Sequence, residues 1–163
     1  MARTERIMET TSQTGKYLTF LTGGEGYGLP VLKVREIMKV MEITSVPQVP
    51  IYVRGVINLR GKVVPVIDLR LKFGMASCEA TEQTCIIVVE AEADDRKTLM
   101  GLLVDGVSEV LNIQAEEIET SPEFGGGVRT DYLLGVAKVK GTVKLLLDID
   151  RVITGTELRS LAA

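Results

Sequence analysis

A chain of 163 residues with 45% apolar and 25% charged side chains is ordinary for a globular protein. A chain of that length buries roughly 70% of its unfolded surface without a disulfide or metal staple. A net charge of -3 argues against nucleic acid, which asks for a clustered basic surface, and the lack of any histidine excludes Ser-His-Asp and Cys-His nucleophiles, His-ligated metals and a phosphohistidine carrier.

Residues 1–14 are polar and charged, with no apolar stretch behind the basic ones. They read as a disordered leader rather than a secretory signal. Runs of strand-forming residues follow at 16–22, 28–40, 53–59, 63–67, 84–91, 98–105, 107–113, 132–139 and 143–147. Tryptophan is absent, so Val, Ile and Leu must build the core, and the first two favour strands. Helical periodicity is weak until residues 149–161, which predicts an all-β protein with short helices. The longest apolar runs, 63–67 and 85–89, are far short of a membrane span, so a cytoplasmic location is expected.

Several local features have plain readings. The glycines from Gly23 to Gly28 lack the spacing of a phosphate loop and read as a hairpin turn. Pro47 and Pro50 have PxxP spacing but sit between strands as a stiff connector. Cys78 and Cys85 are not a CxxC pair and are expected to be reduced thiols.

The chain contains a duplication. Residues 55–68 align without gaps on 135–148, matching Gly55, Val56, Gly61, Val63 and Asp68 with Gly135, Val136, Gly141, Val143 and Asp148. Arg60 and Lys140 precede the second glycine of each copy, and residues 28–36 match 101–109 at a different offset. A longer connector in the second copy, around residues 125–127, accounts for that change. Two units of about five strands predict two small barrels, spanning 15–80 and 81–157, with a terminal helix to about 161. The boundary near residue 80 is soft, because first and last strands can exchange between the barrels. Asp68 and Asp148 read as helix N-caps, with Gly74 and Gly155 beyond the short helices. Gly55, Gly61, Gly135 and Gly141 suit the bends and close approaches of small barrels.

In strand phase, Leu32, Val34, Glu36, Met38 and Val40 share one face, so a carboxylate interrupts an apolar stripe. Glu109 does the same among Val107, Leu111 and Ile113. A buried charge needs a partner, and the forked guanidinium of Arg60 is a candidate for Glu36. An internal ion pair and a polar point in an apolar docking groove are both open, and they are compatible.

The stretch from Val53 to Arg70 resembles the signature of the CheW family of bacterial chemotaxis coupling proteins. Residues 27–37, 102–110 and 121–124 resemble further blocks of that family, in the right order. The resemblance implies two SH3-like five-stranded barrels packed on a shared apolar core. It implies a non-catalytic adaptor that links the regulatory domain of the histidine kinase CheA to the cytoplasmic tips of methyl-accepting chemotaxis receptors, recruited to membrane-associated arrays. No cofactor, metal, nucleic acid or membrane insertion belongs to that role. Carried over residue by residue, Glu36 and Arg60 belong to or support a receptor-docking groove between the barrels, flanked by Val34 and Ile37. Asn58 and Arg60 fall in the family's Asn-Leu-Arg-Gly unit, and Lys140 stands where the second copy would carry arginine. Rival readings are an enzyme using Asp105 and Glu109, whose spacing selects no reaction, and a polyproline binder, for which three Phe, four Tyr and no Trp are poor material.

Overall fold

Side chains alternate inward and outward in some of the β-type runs, whereas residues 17–20 and 85–89 are buried on both faces. In the alternating strand Val53–Leu59, Val53, Gly55, Ile57 and Leu59 are buried while Arg54 and Asn58 face water. The computed structural model describes residues 15–93, 95–120 and 132–152. The expected leader, the 121–124 block, the 125–127 connector and the terminal helix beyond residue 152 lie outside the described residues. The strands are β1 (Gly15–Thr22), β2 (Glu25–Pro30), β3 (Val34–Lys39), β4 (Val53–Leu59), β5 (Lys62–Asp68), β6 (Cys85–Ala93), β7 (Arg96–Val104), β8 (Gly106–Ile113), β9 (Ile118–Glu119), β10 (Leu133–Val139) and β11 (Thr142–Leu147). Short helices α1 (Leu69–Lys72) and α2 (Ile149–Val152) follow β5 and β11. No helix among the described residues is long and apolar enough to cross a membrane.

The strands form two sheets, ordered β8-β1-β2-β11-β10-β9 and β3-β6-β7-β5-β4. The protein is therefore all-β, with two SH3-like barrels. The two-residue β9 makes the first sheet six-stranded, and its counterpart in the other is the single bridge Thr44↔Val56. Both sheets cross residue 80. Hairpin β1–β2 lies in the sheet with β8 to β11, and hairpin β6–β7 lies with β3 to β5.

The duplication extends to individual pairings. Hairpins β4–β5 and β10–β11 share one register eighty positions apart, from Val53↔Ile67 to Leu59↔Lys62 and from Leu133↔Leu147 to Val139↔Thr142, with the same irregularity before Gly55 and Gly135. Both close on a left-handed basic residue and a glycine, Arg60-Gly61 and Lys140-Gly141, the primed turn that matches strand twist. The Asn58 side chain accepts the Gly61 N–H at 2.8 Å. Gly55 adopts φ 144°, and a Cβ there would run into the Thr44 carbonyl. At Gly135 it would meet the Glu119 carbonyl oxygen at 2.8 Å.

Three apolar clusters hold the fold. Ile57, Leu59, Val64, Val66, Ile86 and Val88 fill the five-stranded barrel. Tyr17, Ile113, Ile118, Ala137, Val139 and Leu146 fill the other. The largest cluster lies between the sheets, with Phe20 and Leu29 from one and Ile67, Ile87 and Leu102 from the other. An aromatic ladder joins them, Phe20–Tyr27–Phe73–Tyr132, with centroid spacings of 5.7, 5.4 and 5.1 Å.

Two expectations need correction. The run 28–40 is not one strand: the chain leaves β2 at Pro30, makes a 3-10 turn at Val31–Lys33 and enters the other sheet as β3. Proline has no N–H to continue a ladder, so the switch falls there. Leu32 consequently sits in the turn, 88% exposed, and is off the β3 face. Glu109 is also exposed rather than set in an apolar stripe, because β8 is irregular where it pairs with β1.

Candidate functional site

Strand β3 is an edge strand whose two faces do different things. Opposite Val89 and Val88 stand Val34 and Glu36, so Arg35 is an extra residue and the strand bulges there. The bulge re-aims the side chains. Val34 and Ile37 pair with Val89 and Ile87, which belong to the core between the sheets. Glu36 and Met38 pair with Val88 and Ile86, which belong to the inside of the five-stranded barrel. Val34 is half-buried and Ile37 is 46% exposed at the seam.

Arg60 comes from the β4–β5 turn, at the opposite edge of the same sheet, and meets Glu36 as the sheet curls. The contact is forked, Nη1 to Oε1 at 3.2 Å and Nη2 to Oε2 at 2.6 Å. The Glu36 side chain is 29% exposed and that of Arg60 72%. The Arg60 hydrogen bonds hold the Glu36 carboxyl below the usual carboxylate range, and Glu36 in turn raises the guanidinium. The pair braces the mouth of the barrel while staying in contact with water.

Glu36 and Arg60 stand at the rim of a recess of ≈ 890 Å³ whose floor includes Leu59, Val64, Val88 and Leu99. All its lining residues come from the β3–β7 sheet, so it is the mouth of one barrel and not a cleft between the two. Val34 and Ile37 do not line it. The four candidate groove residues thus divide into a barrel-mouth pair and a seam pair, back to back on β3. Arg35 and Lys97 flank Glu90 across the rim, at 2.9 and 3.8 Å. With Arg60 and Lys62, four cations face two carboxylates, and Lys62 has no ion pair among the described residues. Val63 beside it is 71% exposed. The sequence reading missed Arg35, Glu90, Lys97 and Lys62, because nothing in a single strand's pattern reveals its neighbours across the sheet.

The second barrel repeats the plan without the pair: Glu109 has no ion-pair partner among the described residues, although Lys140 copies the turn of Arg60. Asp68 and Asp148 cap α1 and α2. Asp68 accepts Arg70 N–H at 3.0 Å and Leu71 N–H at 3.4 Å, and Asp148 accepts Asp150 N–H at 3.1 Å. Gly74 follows α1 with φ 80°, and Met75 N–H closes the turn on the Arg70 carbonyl. Asp105, one of the two acids an enzyme reading would use, is ion-paired to Arg70 at 2.7 Å.

Two fused barrels, an apolar floor with a charged rim and an apolar seam beside it define a two-barrel binding module. The CheW-like domain family matches residues 16–157, and the chain belongs to that family. It is 37% identical over 150 residues to the chemotaxis protein CheW of Klebsiella aerogenes, covering 92% of this chain and 87% of that one. It is 36% identical over 143 residues to the CheW of Bacillus subtilis, covering 87% of each. Among solved structures it resembles the scaffolding protein TtCheW of Thermoanaerobacter tengcongensis, with a TM-score of 0.74 and 34% identity over 85% of this chain and 92% of that one.

Proposed function

We propose that the protein is a non-catalytic chemotaxis adaptor. It couples methyl-accepting receptors to the regulatory domain of the histidine kinase CheA, in the cytoplasm beneath receptor arrays. The observation that carries this reading is the match to chemotaxis CheW proteins over nearly the whole of both chains. Membership of the family and likeness to a scaffolding protein support a role performed by holding partners together. Nothing in the role asks for a nucleophile or a cofactor.

The receptor is assigned to β3. A receptor helix seats apolar side chains on Val34 and Ile37 at the seam, and the Glu36–Arg60 fork holds the strand from its other face. A fork serves this better than an ammonium because two parallel hydrogen bonds fix orientation as well as distance. The kinase docks elsewhere, on apolar barrel ends away from the Glu36–Arg60 mouth. The test is capture from solution. The immobilised protein is offered a receptor cytoplasmic fragment, the kinase regulatory domain and a proline-rich peptide. Capture of the first two and not the third supports the adaptor reading, and failure to hold either of the first two ends it.

A further inference from the structure

Each barrel contains one parallel strand pair, β5 beside β7 and β11 beside β2. The two are equivalent. Val66↔Gly101 in one corresponds to Leu146↔Gly28 in the other, at matching positions of the duplicated unit. Hairpins β1–β2 and β6–β7 therefore meet the same kind of strand in the same register. Backbone register alone does not tell them apart, and the side chains do so only in part, through Tyr27 of β2 stacked on Phe73 where β7 carries Met100. A second arrangement is conceivable in which each copy closes on itself, with β2 beside β5 and β7 beside β11.

Among the described residues, the two strands of each parallel pair are tied at their C-terminal end by an ion pair. After β5 and β7, Arg70 Nε and Nη2 donate to Asp105 Oδ1 and Oδ2 at 2.9 and 2.7 Å. After β11 and β2, Asp150 accepts both contacts from Lys33 Nζ, each at 3.0 Å. Arg70 and Asp150 are eighty positions apart and correspond in the duplication, yet their charges are opposite. Their partners are opposite in charge too, although one position out of step: Asp105 lies four residues past Gly101, where the first copy has Leu32, and Lys33 lies five past Gly28. In the observed sheets both contacts are attractive. In the self-closed arrangement Lys33 would face Arg70, and Asp105 would face Asp150, so both would repel.

We infer that these polarity-reversed ion pairs select the exchanged strand pairing over the self-closed one. Duplication leaves the two hairpins alike in backbone register, and the charge pattern at the ends of β2, β5, β7 and β11 removes that degeneracy. Each aspartate also accepts a backbone N–H, Gly23 to Asp105 at 2.8 Å and Glu92 to Asp150 at 2.7 Å. Substituting them therefore costs some stability whatever the pairing, and the readout must be the pairing itself.

The test swaps charges within pairs. Arg70→Asp with Asp105→Arg keeps both observed contacts attractive but makes both self-closed contacts attractive as well. Adding Lys33→Asp and Asp150→Lys keeps the observed contacts attractive and makes the self-closed ones repulsive again. Proteins are refolded from urea, and NMR contacts of Gly28 with Leu146 or with Val66 report the pairing. A half-exposed pair shifts an equilibrium by about two- to fivefold, so the two-residue swap should raise the self-closed form roughly tenfold or more. The wild type and the four-residue variant should show Gly28–Leu146 with at most a minor Gly28–Val66 contact, and the two-residue variant should show the two contacts at comparable strength. A two-residue variant with Gly28–Leu146 alone, or a four-residue variant as mixed as the two-residue one, overturns the inference. Where the two-residue variant does not fold, recovery in the four-residue variant supports the inference, and failure of both overturns it.

Discussion

Asp68 and Asp148 occupy equivalent positions in the duplicated unit but should not be equally valuable. Asp68 is 3% exposed and accepts two N–H groups, with the Arg54 guanidinium 3.9 Å from its second oxygen. Asp68→Ala removes the acceptor of both part-buried donors. Lost caps cost about 0.5 to 2 kcal/mol, and stranding a second donor pushes this one to about 2 kcal/mol. For a chain of this size that lowers Tm by about 4 to 8 °C. Asp148 accepts one helix N–H and has the Arg151 guanidinium 3.6 Å from its second oxygen, yet burial first, then the Asp150 charge, pushes its carboxyl up. Its charged form is therefore disfavoured by folding: the stability it contributes is present in acid and is lost as pH rises through the raised folded value. Asp148→Ala should cost less than about 1 kcal/mol at pH 7, and Asp148→Asn, which keeps an acceptor and drops the charge, should be neutral or stabilising. Asp68→Asn, which keeps an acceptor for the helix N–H groups, should cost less than Asp68→Ala. Thermal and urea unfolding of the four variants, followed by circular dichroism, gives the order. Equal losses at the two caps, or a larger one at Asp148, would refute this reasoning.

Gly55→Ala should destabilise by about 3 kcal/mol or more, since φ 144° is closed to alanine and its Cβ meets the Thr44 carbonyl. Gly61→Ala has open space around it and should cost only about 1 to 2 kcal/mol of backbone strain; urea midpoints separate the two. Arg70, then the Gly23 N–H, hold the Asp105 carboxyl low, so its contribution is present above the unfolded pKa of about 3.9 and is lost as pH falls through the lower folded value. Asp105→Asn should flatten that acid loss in urea titrations run from pH 7 downward. Arg60→Ala should leave the circular dichroism spectrum unchanged and weaken binding to a receptor fragment by roughly tenfold or more, with Arg60→Lys intermediate and kinase binding unaltered. Normal receptor binding by Arg60→Ala would reduce Arg60 to a brace of the barrel.

The repeated hairpins were legible because their determinants are local. Glycine and a basic residue make the turn, Val and Leu alternate, and Asp ends each strand, so 55–68 and 135–148 fold alike wherever they are placed. Assigning hairpins to barrels was not legible, since β2 and β7 carry the same pattern and either suits β5 or β11. That choice rests on contacts such as Lys33–Asp150, 117 residues apart. Strand phase placed Val34 and Glu36 on one face, and the single extra residue Arg35 moved them to opposite faces. A bulge depends on the partner strand, which a one-strand reading does not contain. The Glu36–Arg60 contact was legible as a complementary pair of types, whereas the Glu90 contacts with Arg35 and Lys97 needed the β3–β6–β7 order.

The adaptor account is tested most directly by co-sedimentation. Membranes carrying a methyl-accepting receptor are mixed with the kinase, with and without this protein, and the pelleted kinase is measured. Kinase should enter the pellet in proportion to the protein added, and much less with Arg60→Ala at equal concentration. Kinase that pellets equally without the protein, or that stays in solution at saturating amounts of it, contradicts the claim that this chain couples the two.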